Sequence, residues 1–289
     1  MFNFNYDPKR QGYDAGLWKT ISGAPSVSSD QLLFSAASAI QYADCLRGVF
    51  SFKVTVPATP ARGYLAGGTS ATAVIATWNA VTDGEFAITV DGTAHDIPAI
   101  DFSAAADMAA VAALIQAALR AKTLTQITCV WSTNKFIITG KTSVSVTSAV
   151  SGGTGTDISG AGATAFMDSE IGRGTATVGT NKVFGLASLN KDIKAVFHIY
   201  GDEIRCISLN EKGQTETSVV PWVAAWATSP AVYQIKWLGN GFGFFINRVN
   251  VANHSNSGIN TTMSAYISNV NATNLLIGYV EGAGIESYL

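Results

Sequence analysis

Hydrophobic and polar residues alternate strictly in the segment FSFKVTV at 50–56. Its apolar side chains fall on one face: Phe50, Phe52, Val54 and Val56. Because successive side chains of a strand point to opposite faces, this period of two predicts a half-buried antiparallel strand. The following stretch, PATPARGYLAGG at 57–68, is rich in Pro and Gly and indicates a linker.

Short segments with the same alternation recur from residue 174 to the end of the chain. They include VFGLASL, AVFHIYG, IRCISL, AVYQIKW, GFGFFINR and NLLIGYV. In AVYQIKW at 231–237, Tyr233, Ile235 and Trp237 share one face. Gln234 and Lys236 share the other. Many short alternating strands with turns between them predict a β-sandwich or jelly roll.

The pattern from residue 71 to about 150 is different and self-contained. ATAVIATW at 71–78 predicts a strand, and GEFAITVDGTAHDIPAI at 84–100 predicts a hairpin with its turn at Asp91-Gly92. A helix follows, which Ser103 can cap and whose apolar residues recur at i, i+3, i+4 and i+7. TQITCVW and KFIITG predict two strands that meet at an STN turn, and TSVSVTSAV predicts a last strand, so the segment is a small α+β domain. SGGTGTDISGAGAT at 151–164 is rich in Gly, Thr and Ser and predicts a return linker.

These two kinds of pattern predict that one domain is inserted into another. In a sandwich with strands at 32–56 and beyond 183, more than a hundred residues separate the first strands from the others in sequence. An insertion of these residues at a loop explains the separation, since loop tips tolerate inserted domains. Three unrelated pieces would each be too small for a good core. We therefore predict an N-terminal arm at 1–30, a discontinuous β-sandwich domain at 31–64 and 173–289, and an inserted α+β domain at 65–172.

Three motifs of the middle segment occur together, namely WNAVTDGEFAITVDG, ADMAAVAALIQAAL and WSTNKFIITG. In this order they resemble a module of tailed-bacteriophage structural proteins that is best known from tail-sheath-like families. The resemblance covers residues of about 69–150. It implies that the chain is a virion structural protein of a tailed phage.

A second resemblance rests on AVYQIKWLGNGFGFFINRVNVANHS at 231–255. This segment is similar to a hairpin near the end of the concanavalin A-like lectin/laminin-G jelly roll, and the strand pattern extends the likeness to 30–60 and 174–289. The expected fold class is therefore mainly β, a concanavalin A-like β-sandwich (jelly roll) with an inserted small α+β domain.

The low fraction of charged residues limits the classes of partner that the chain is expected to bind. Only 13% of its residues are charged and the net charge is −2, so few phosphates can be neutralised and nucleic acid is not an expected partner. No apolar run approaches the roughly 18–20 residues of a membrane span, so no membrane contact is expected. The N-terminal MFNFNYDPKRQ lacks the features of a signal peptide. We expect a protein made in a bacterial host cytoplasm and built into a virion.

No catalytic motif is visible. Glycosidases with this fold use two carboxylates, commonly in an E-x-D-x-E run, whereas Asp202 and Glu203 in GDEIR would point to opposite faces of a strand. The three histidines form no HExxH motif, His198 reads as a packed strand histidine, and no G-x-S-x-G elbow occurs. The cysteines show no metal-ligand spacing and read as free buried thiols. We predict that the chain is not an enzyme and has no cofactor and no metal site.

Two groups of aromatic residues are candidates for binding. Trp222 and Trp226 are candidates for a subunit interface or for glycan contact, since aromatic faces stack on pyranose rings. The arm carries four aromatic residues that we expect to order on a neighbouring subunit: Phe2, Phe4, Tyr6 and Trp18.

Three functional hypotheses remain open. The first is a capsid decoration or cement protein, or another particle-surface subunit of the neck, tail or baseplate, forming a homo-oligomer such as a trimer with other virion proteins as partners. The second is a module of a tail or fibre that binds a glycan of the host surface. The third, a secreted glycan hydrolase, is disfavoured by the missing carboxylate pair. A tail-sheath-like or baseplate role is a further alternative.

Overall fold

A computed structural model describes residues 2–6, 18–22, 25–28, 31–34, 38–42, 48–56, 61–68, 74–148, 153–159, 175–177, 179–188, 193–237, 241–255, 263–269 and 275–284. The first strands are β1 (Phe2–Tyr6), β2 (Trp18–Ser22), β3 (Ser26–Ser28), β4 (Gln31–Phe34), β5 (Ser38–Tyr42) and β6 (Gly48–Thr55). Then come β7 (Tyr64–Ala66), α1 (Ile75–Asn79), β8 (Gly84–Val90), β9 (Thr93–Ile100), α2 (Met108–Ala121), β10 (Thr128–Ser132), β11 (Lys135–Thr139), β12 (Val144–Ser148), β13 (Thr156–Asp157) and β14 (Thr175–Thr177). The last are β15 (Asn181–Ala187), β16 (Lys194–Tyr200), β17 (Glu203–Leu209), β18 (Thr215–Pro221), a 3₁₀ helix (Ala224–Ala227), β19 (Ala231–Trp237), β20 (Phe242–Ile246), β21 (Val249–His254), β22 (Ser264–Asn269) and β23 (Leu275–Gly284).

The chain divides into two compact units, one made of residues 1–60 and 180–289 and the other of residues 61–179. The first unit contains two antiparallel sheets. One has the order β21-β20-β19-β6-β23-β4-β3 with β1 beside β23, and the other has the order β18-β17-β16-β15-β22-β5-β2. The mainly β fold with a sandwich of this kind is confirmed.

Strand β6 joins the two sequence-distant parts of the first unit. Phe52 in β6 pairs with Tyr233 in β19 and with Val280 in β23. The side chains of Phe50, Phe52, Val54 and Val56 are buried, as the alternation predicts. Because β6 precedes residues 61–179 and its neighbours in the sheet follow them, the sandwich is interrupted in sequence by the second unit.

Aromatic rings from both sheets form the centre of the sandwich. The ring centroids of Phe184 in β15 and Tyr233 in β19 lie 4.9 Å apart. Phe197 in β16 contacts Tyr233 at 5.1 Å and Phe244 in β20 at 5.2 Å, both edge to face. Pairs of this geometry add about 0.5–1.5 kcal/mol each beyond the burial of their area.

Polar side chains also join the two sheets. The buried Lys182 Nζ donates to Asn269 Oδ1 at 2.9 Å, and Asn269 Nδ2 donates to the carbonyl of Phe34 in the other sheet at 2.7 Å. Burial lowers the pKa of Lys182 to about 8. At the opposite edge, His254 Nδ1 lies 2.7 Å from Ser208 Oγ.

Parts of the predicted arm are strands of the sandwich. Phe2–Tyr6 pairs with β23, and Trp18–Ser22 pairs with β5. The first of these strands did carry a sequence signal, because Phe2, Phe4 and Tyr6 alternate with two asparagines, whereas Trp18–Ser22 shows no strict alternation. That part of this segment orders on a neighbouring subunit stays a prediction.

The second unit is an α+β fold with two four-stranded sheets, of order β10-β11-β7-β14 and β12-β8-β13 with β9 beside β8. Helix α2 packs on β9 and β10. It buries the residues that the i, i+3, i+4 spacing predicts, except for the half-buried Ala118: Met108, Val111, Ala112, Ile115 and Leu119. Trp78 is fully buried against Phe102 and Phe136.

The two predicted hairpin turns of this unit are confirmed. Asp91 and Gly92 have φ of 51° and 84°, and Thr133 and Asn134 have φ of 51° and 57°. Positive φ at both central residues defines the turn whose twist matches that of the flanking strands.

Three local predictions in this unit are wrong. Residues 75–79 are helix α1 and not part of a strand, because a short apolar run does not separate the two and burial of Trp78 in the core decides for the helix. Asp107, not Ser103, caps α2, and its carboxylate accepts from the amide of Ala110. The predicted return linker at 151–164 includes β13, which pairs with β8 in parallel.

Candidate functional site

Trp222 and Trp226 lie at the end of β18 and in the 3₁₀ helix that follows it. Both are partly buried and pack against the sandwich core, with their rings edge to face at 5.4 Å. The Trp226 ring also lies 6.3 Å from that of Tyr233. The Nε1 atom of Trp222 is buried and has no hydrogen-bond partner among the described residues. Much of both indoles is therefore used in packing.

Exposed apolar residues lie next to these tryptophans. The neighbouring Val219 and Val223 are 57% and 46% exposed. Among the described residues, strand β18 is the edge of its sheet, and it lies beside these apolar side chains. Contact of the two tryptophans with a subunit or a glycan stays a prediction. The role of the four aromatic residues of the arm also stays a prediction, because the structure describes their strands but not their side chains: Phe2, Phe4, Tyr6 and Trp18.

A polar cluster occupies the face of the seven-stranded sheet that points away from the core. We name it the Arg205 cluster, and it consists of Asn181, His198, Tyr200, Glu203 and Arg205. In neighbouring strands Asn181 pairs with Tyr200 and Tyr200 with Glu203, while His198 pairs with Arg205. The alternate residues of the same strands, among them Ile199, Ile204 and Cys206, lie in the core.

Arg205 is held by two contacts within this cluster. Its Nε donates to Glu203 Oε1 at 2.8 Å, and its guanidinium lies 4.1 Å from the centre of the Tyr200 ring. The side chains of Arg205 and Glu203 are 31% and 16% exposed. An ion pair at this depth combined with a cation–π contact holds the guanidinium in one orientation.

His198 is neutral at pH 7. Burial and the nearby positive charges of Arg205 and Lys194 lower the pKa of His198 to about 4. Its Nε2 lies 2.7 Å from Asn181 Oδ1. Because that oxygen only accepts, Nε2 carries the proton and Nδ1 keeps a lone pair. The prediction of a packed strand histidine is confirmed, but the imidazole also belongs to a polar group of five residues.

His254 is the second histidine of the first unit, and its side chain is buried. Besides Ser208, it contacts Ser218 Oγ through Nε2 at 3.0 Å, and burial lowers its pKa although Glu216 acts in the opposite direction. Glu216 in turn accepts from the backbone amide of Ser255 at 2.9 Å. These contacts connect edge strands β18 and β21 of the two sheets.

The described thiols are free and buried, as predicted, at Cys129 and Cys206. Burial raises the pKa of Cys129 and raises that of Cys206 to about 12. Neither is therefore a thiolate nucleophile at neutral pH. Cys45 lies outside the described residues.

The described residues hold no group of three or more His, Cys, Asp or Glu side chains that could bind a metal ion. In the same part of the chain, no helix is long and apolar enough to cross a membrane.

Comparison with protein families gives a match for the second unit. Residues 61–178 match the insert domain of the E217 tail sheath protein gp31. The chain thus contains a phage tail-related domain. The resemblance of residues 69–150 to a tail-sheath module is confirmed at this level, although the match covers less than half of the chain. No curated protein matches the chain.

Solved structures with a similar fold include carbohydrate-acting enzymes and a carbohydrate binding module. The Crh5 transglycosylase in complex with NAG has a TM-score of 0.47 and 8% identity, with coverage of 98% of this chain and 84% of that one. A Bacillus licheniformis beta-glucanase has a TM-score of 0.44 and 8% identity, with 99% of both chains covered. The carbohydrate binding module CBM66 from Bacillus subtilis has a TM-score of 0.39 and 8% identity, with coverage of 92% of this chain and 96% of that one. These values describe a shared type of fold and assign no substrate to this chain.

The prediction that the chain is not an enzyme is wrong. It rested on the missing E-x-D-x-E run, but the similar solved structures include a transglycosylase and glucanases at only 5–10% identity. At such distances the absence of one family's motif excludes no enzyme class. The fold likeness in turn identifies no reaction for this chain.

Sequence reasoning missed the Arg205 cluster. It weighed GDEIR as a possible carboxylate pair and His198 only as a packed strand histidine, because each residue was considered along its own strand. The available signal was the alternation itself: His198 and Tyr200 lie two apart in β16, and Glu203 and Arg205 lie two apart in β17. Only the pairing of these strands brings the four side chains together.

Proposed function

We propose that the protein is a structural subunit of a bacteriophage particle and lies on the particle surface. The observation that supports this most is the match of residues 61–178 to the insert domain of a tail sheath protein. Because that relative is a tail protein, the tail is the location we favour. A capsid decoration or cement role is the alternative.

In this role the protein acts by association with other virion proteins. Strand β18, the edge of its sheet within the described part of the chain, and the exposed Val219 and Val223 are surfaces that a neighbouring subunit could cover. We expect a homo-oligomer, with a trimer as the first candidate. A stable interface should bury more than about 1,000 Å² in total.

The location can be tested on particles of the phage that encodes the chain. After separation of heads from tails, quantitative mass spectrometry should find the protein in the tail fraction at a fixed ratio to the tail proteins. Recovery in the head fraction would select the capsid alternative. Absence from purified particles would contradict the proposal.

A second candidate function is recognition of a host-surface glycan by the first unit. This function was predicted from the aromatic faces of Trp222 and Trp226, and the Arg205 cluster adds a partly exposed guanidinium that is held in place on a sheet face. A subunit on the particle surface could present this face to the host. Binding of saccharides to the purified protein tests this function independently of its place in the particle.

A further inference from the structure

The end of the Arg205 side chain is ready to bind a ligand. Nε is used by Glu203, but neither terminal η nitrogen has a hydrogen-bond partner among the described residues. The Tyr200 ring, whose centre lies 4.1 Å from Cζ of Arg205, restricts the guanidinium further. Two parallel N–H donors in a fixed plane match the two oxygens of a carboxylate. Less side-chain entropy remains to be lost on binding, because the rotamer is already restricted.

A hydrogen-bond acceptor lies beside these donors. His198 pairs directly with Arg205 across the two strands. Side chains in such pairs are about 5 Å apart at Cβ. With its proton on Nε2, the neutral imidazole presents the Nδ1 lone pair, which has no partner within the described part of the chain. A carboxylate alone would leave this acceptor unused, whereas a ligand with a hydroxyl next to its carboxylate would engage both groups.

The local charge is close to balanced. Glu203 compensates the charge of Arg205 through their ion pair. Lys194, at the other end of β16, adds a positive charge that acts on His198, and Asp202, next to Glu203, adds a negative one. The neutral His198 adds none. A site without a large positive charge suits one carboxylate better than a densely charged polyanion.

We propose that the Arg205 cluster binds a saccharide that carries a carboxylate, such as a uronic or sialic acid. The carboxylate would lie on the two η nitrogens of Arg205, and a sugar hydroxyl would donate to Nδ1 of His198. This assignment rests on the glycan-recognition function proposed above and names its ligand class. It differs from the predicted glycan site at Trp222 and Trp226.

Calorimetric titration of the full chain with matched saccharides tests the proposal. The probes are trigalacturonate, its methyl ester, sialyllactose, lactose and sodium acetate. We expect binding of at least one acidic saccharide and at least tenfold weaker binding of its uncharged counterpart, the loss equivalent to one charge-assisted hydrogen bond. Arg205→Ala should abolish this binding, and Arg205→Lys should weaken it by about tenfold, because an ammonium lacks the planar fork.

The control is Arg248→Ala, which removes an exposed arginine from the turn between β20 and β21 and should leave binding unchanged. Thermal melting of each variant establishes that it is folded. Equal binding of the acid and its uncharged counterpart, retention of binding in Arg205→Ala, or no binding of either acid would overturn the proposal. So would acetate binding as tightly as the saccharides, or loss of binding only in Trp222→Ala or Trp226→Ala. None of these results depends on where the protein lies in the particle.

Discussion

At the scale of single residues, His198 shows how a half-buried neutral side chain couples stability to pH. Its pKa is lowered to about 4 in the folded protein, from an ordinary value of 6.5. As the pH falls below 6.5, the unfolded chain takes up a proton that the folded chain does not, so the free energy of unfolding decreases until about pH 4. We expect a loss of about 2 kcal/mol between pH 7 and pH 4.5 from this residue.

The measurement is urea unfolding at both pH values for the wild type and for His198→Asn. The variant lacks the titrating group, so its free energy of unfolding should fall by about 2 kcal/mol less than that of the wild type between pH 7 and pH 4.5. His95→Asn is the control, because His95 lies in the second unit and does not contribute to unfolding of the first. An identical pH dependence in wild type and His198→Asn would contradict the assignment.

The ionised carboxylate of Asp91 stabilises the second unit through hydrogen bonds. Its carboxylate accepts from the backbone amides of Lys141 and Ser143 at 3.1 and 3.0 Å and from the hydroxyl of Thr142 at 3.0 Å. Burial opposes ionisation, but the hydrogen bonds, led by the Thr142 amide, outweigh it and lower the pKa of Asp91. The side chain thereby fastens the β8–β9 turn to the corner before β12.

Asp91→Asn should destabilise the second unit by about 1–3 kcal/mol, because the amide accepts these bonds with one neutral oxygen. Asparagine tolerates the positive φ of this position, so the backbone should be unchanged. Asp96→Asn, at an exposed position of β9, is the matched control. Urea unfolding at pH 7 gives the comparison, and equal stability of the two variants would show that the carboxylate is not a structural anchor.

At the scale of elements, the turn between β10 and β11 contains a residue that suits it poorly. Thr133 has φ of 51°, a region that a β-branched residue rarely adopts. Thr133→Asn should stabilise the protein by about 0.5–1 kcal/mol, because asparagine is favoured in this turn. Thermal unfolding measures the effect.

The equivalent turn between β8 and β9 provides a control substitution with the opposite expected effect on stability. Gly92 has φ of 84°, and a Cβ at this position would meet no atom within 4 Å. Gly92→Ala should therefore destabilise through the backbone alone, by about 1 kcal/mol. If both substitutions changed stability in the same direction, turn conformation would not be the cause.

The same two turns show which elements the sequence could predict. Asp91-Gly92 and the STN turn lie between alternating segments, so local chemistry defines the hairpins and their strands. ATAVIATW has no such neighbours, and its conformation depends on the pocket that receives Trp78. The Arg205 cluster was also not predictable, since cross-strand pairing creates it and no residue spacing along the chain encodes it.

At the scale of the whole molecule, the ends of the second unit are adjacent. β7 and β14 pair, with Tyr64 opposite Thr177 and Ala66 opposite Thr175. The amide of Gly179 donates to the carbonyl of Thr142 at 2.7 Å, and the amide of Gly63 donates to that of Lys141 at 2.8 Å. A segment that begins and ends at one place can be inserted into a single loop of a host fold.

This geometry predicts that residues 61–179 fold when expressed alone. The segment has its own core around the buried Trp78, and the pairing of β7 with β14 closes it without help from the sandwich. We expect a cooperative thermal transition with native near-ultraviolet circular dichroism. The fragment with Gly63→Ala is the matched variant and should melt lower, since a Cβ there would clash with the backbone of Thr142 and Ser143. A fragment without a cooperative transition would mean that the second unit depends on the sandwich, and that its insertion is not that of an autonomous domain.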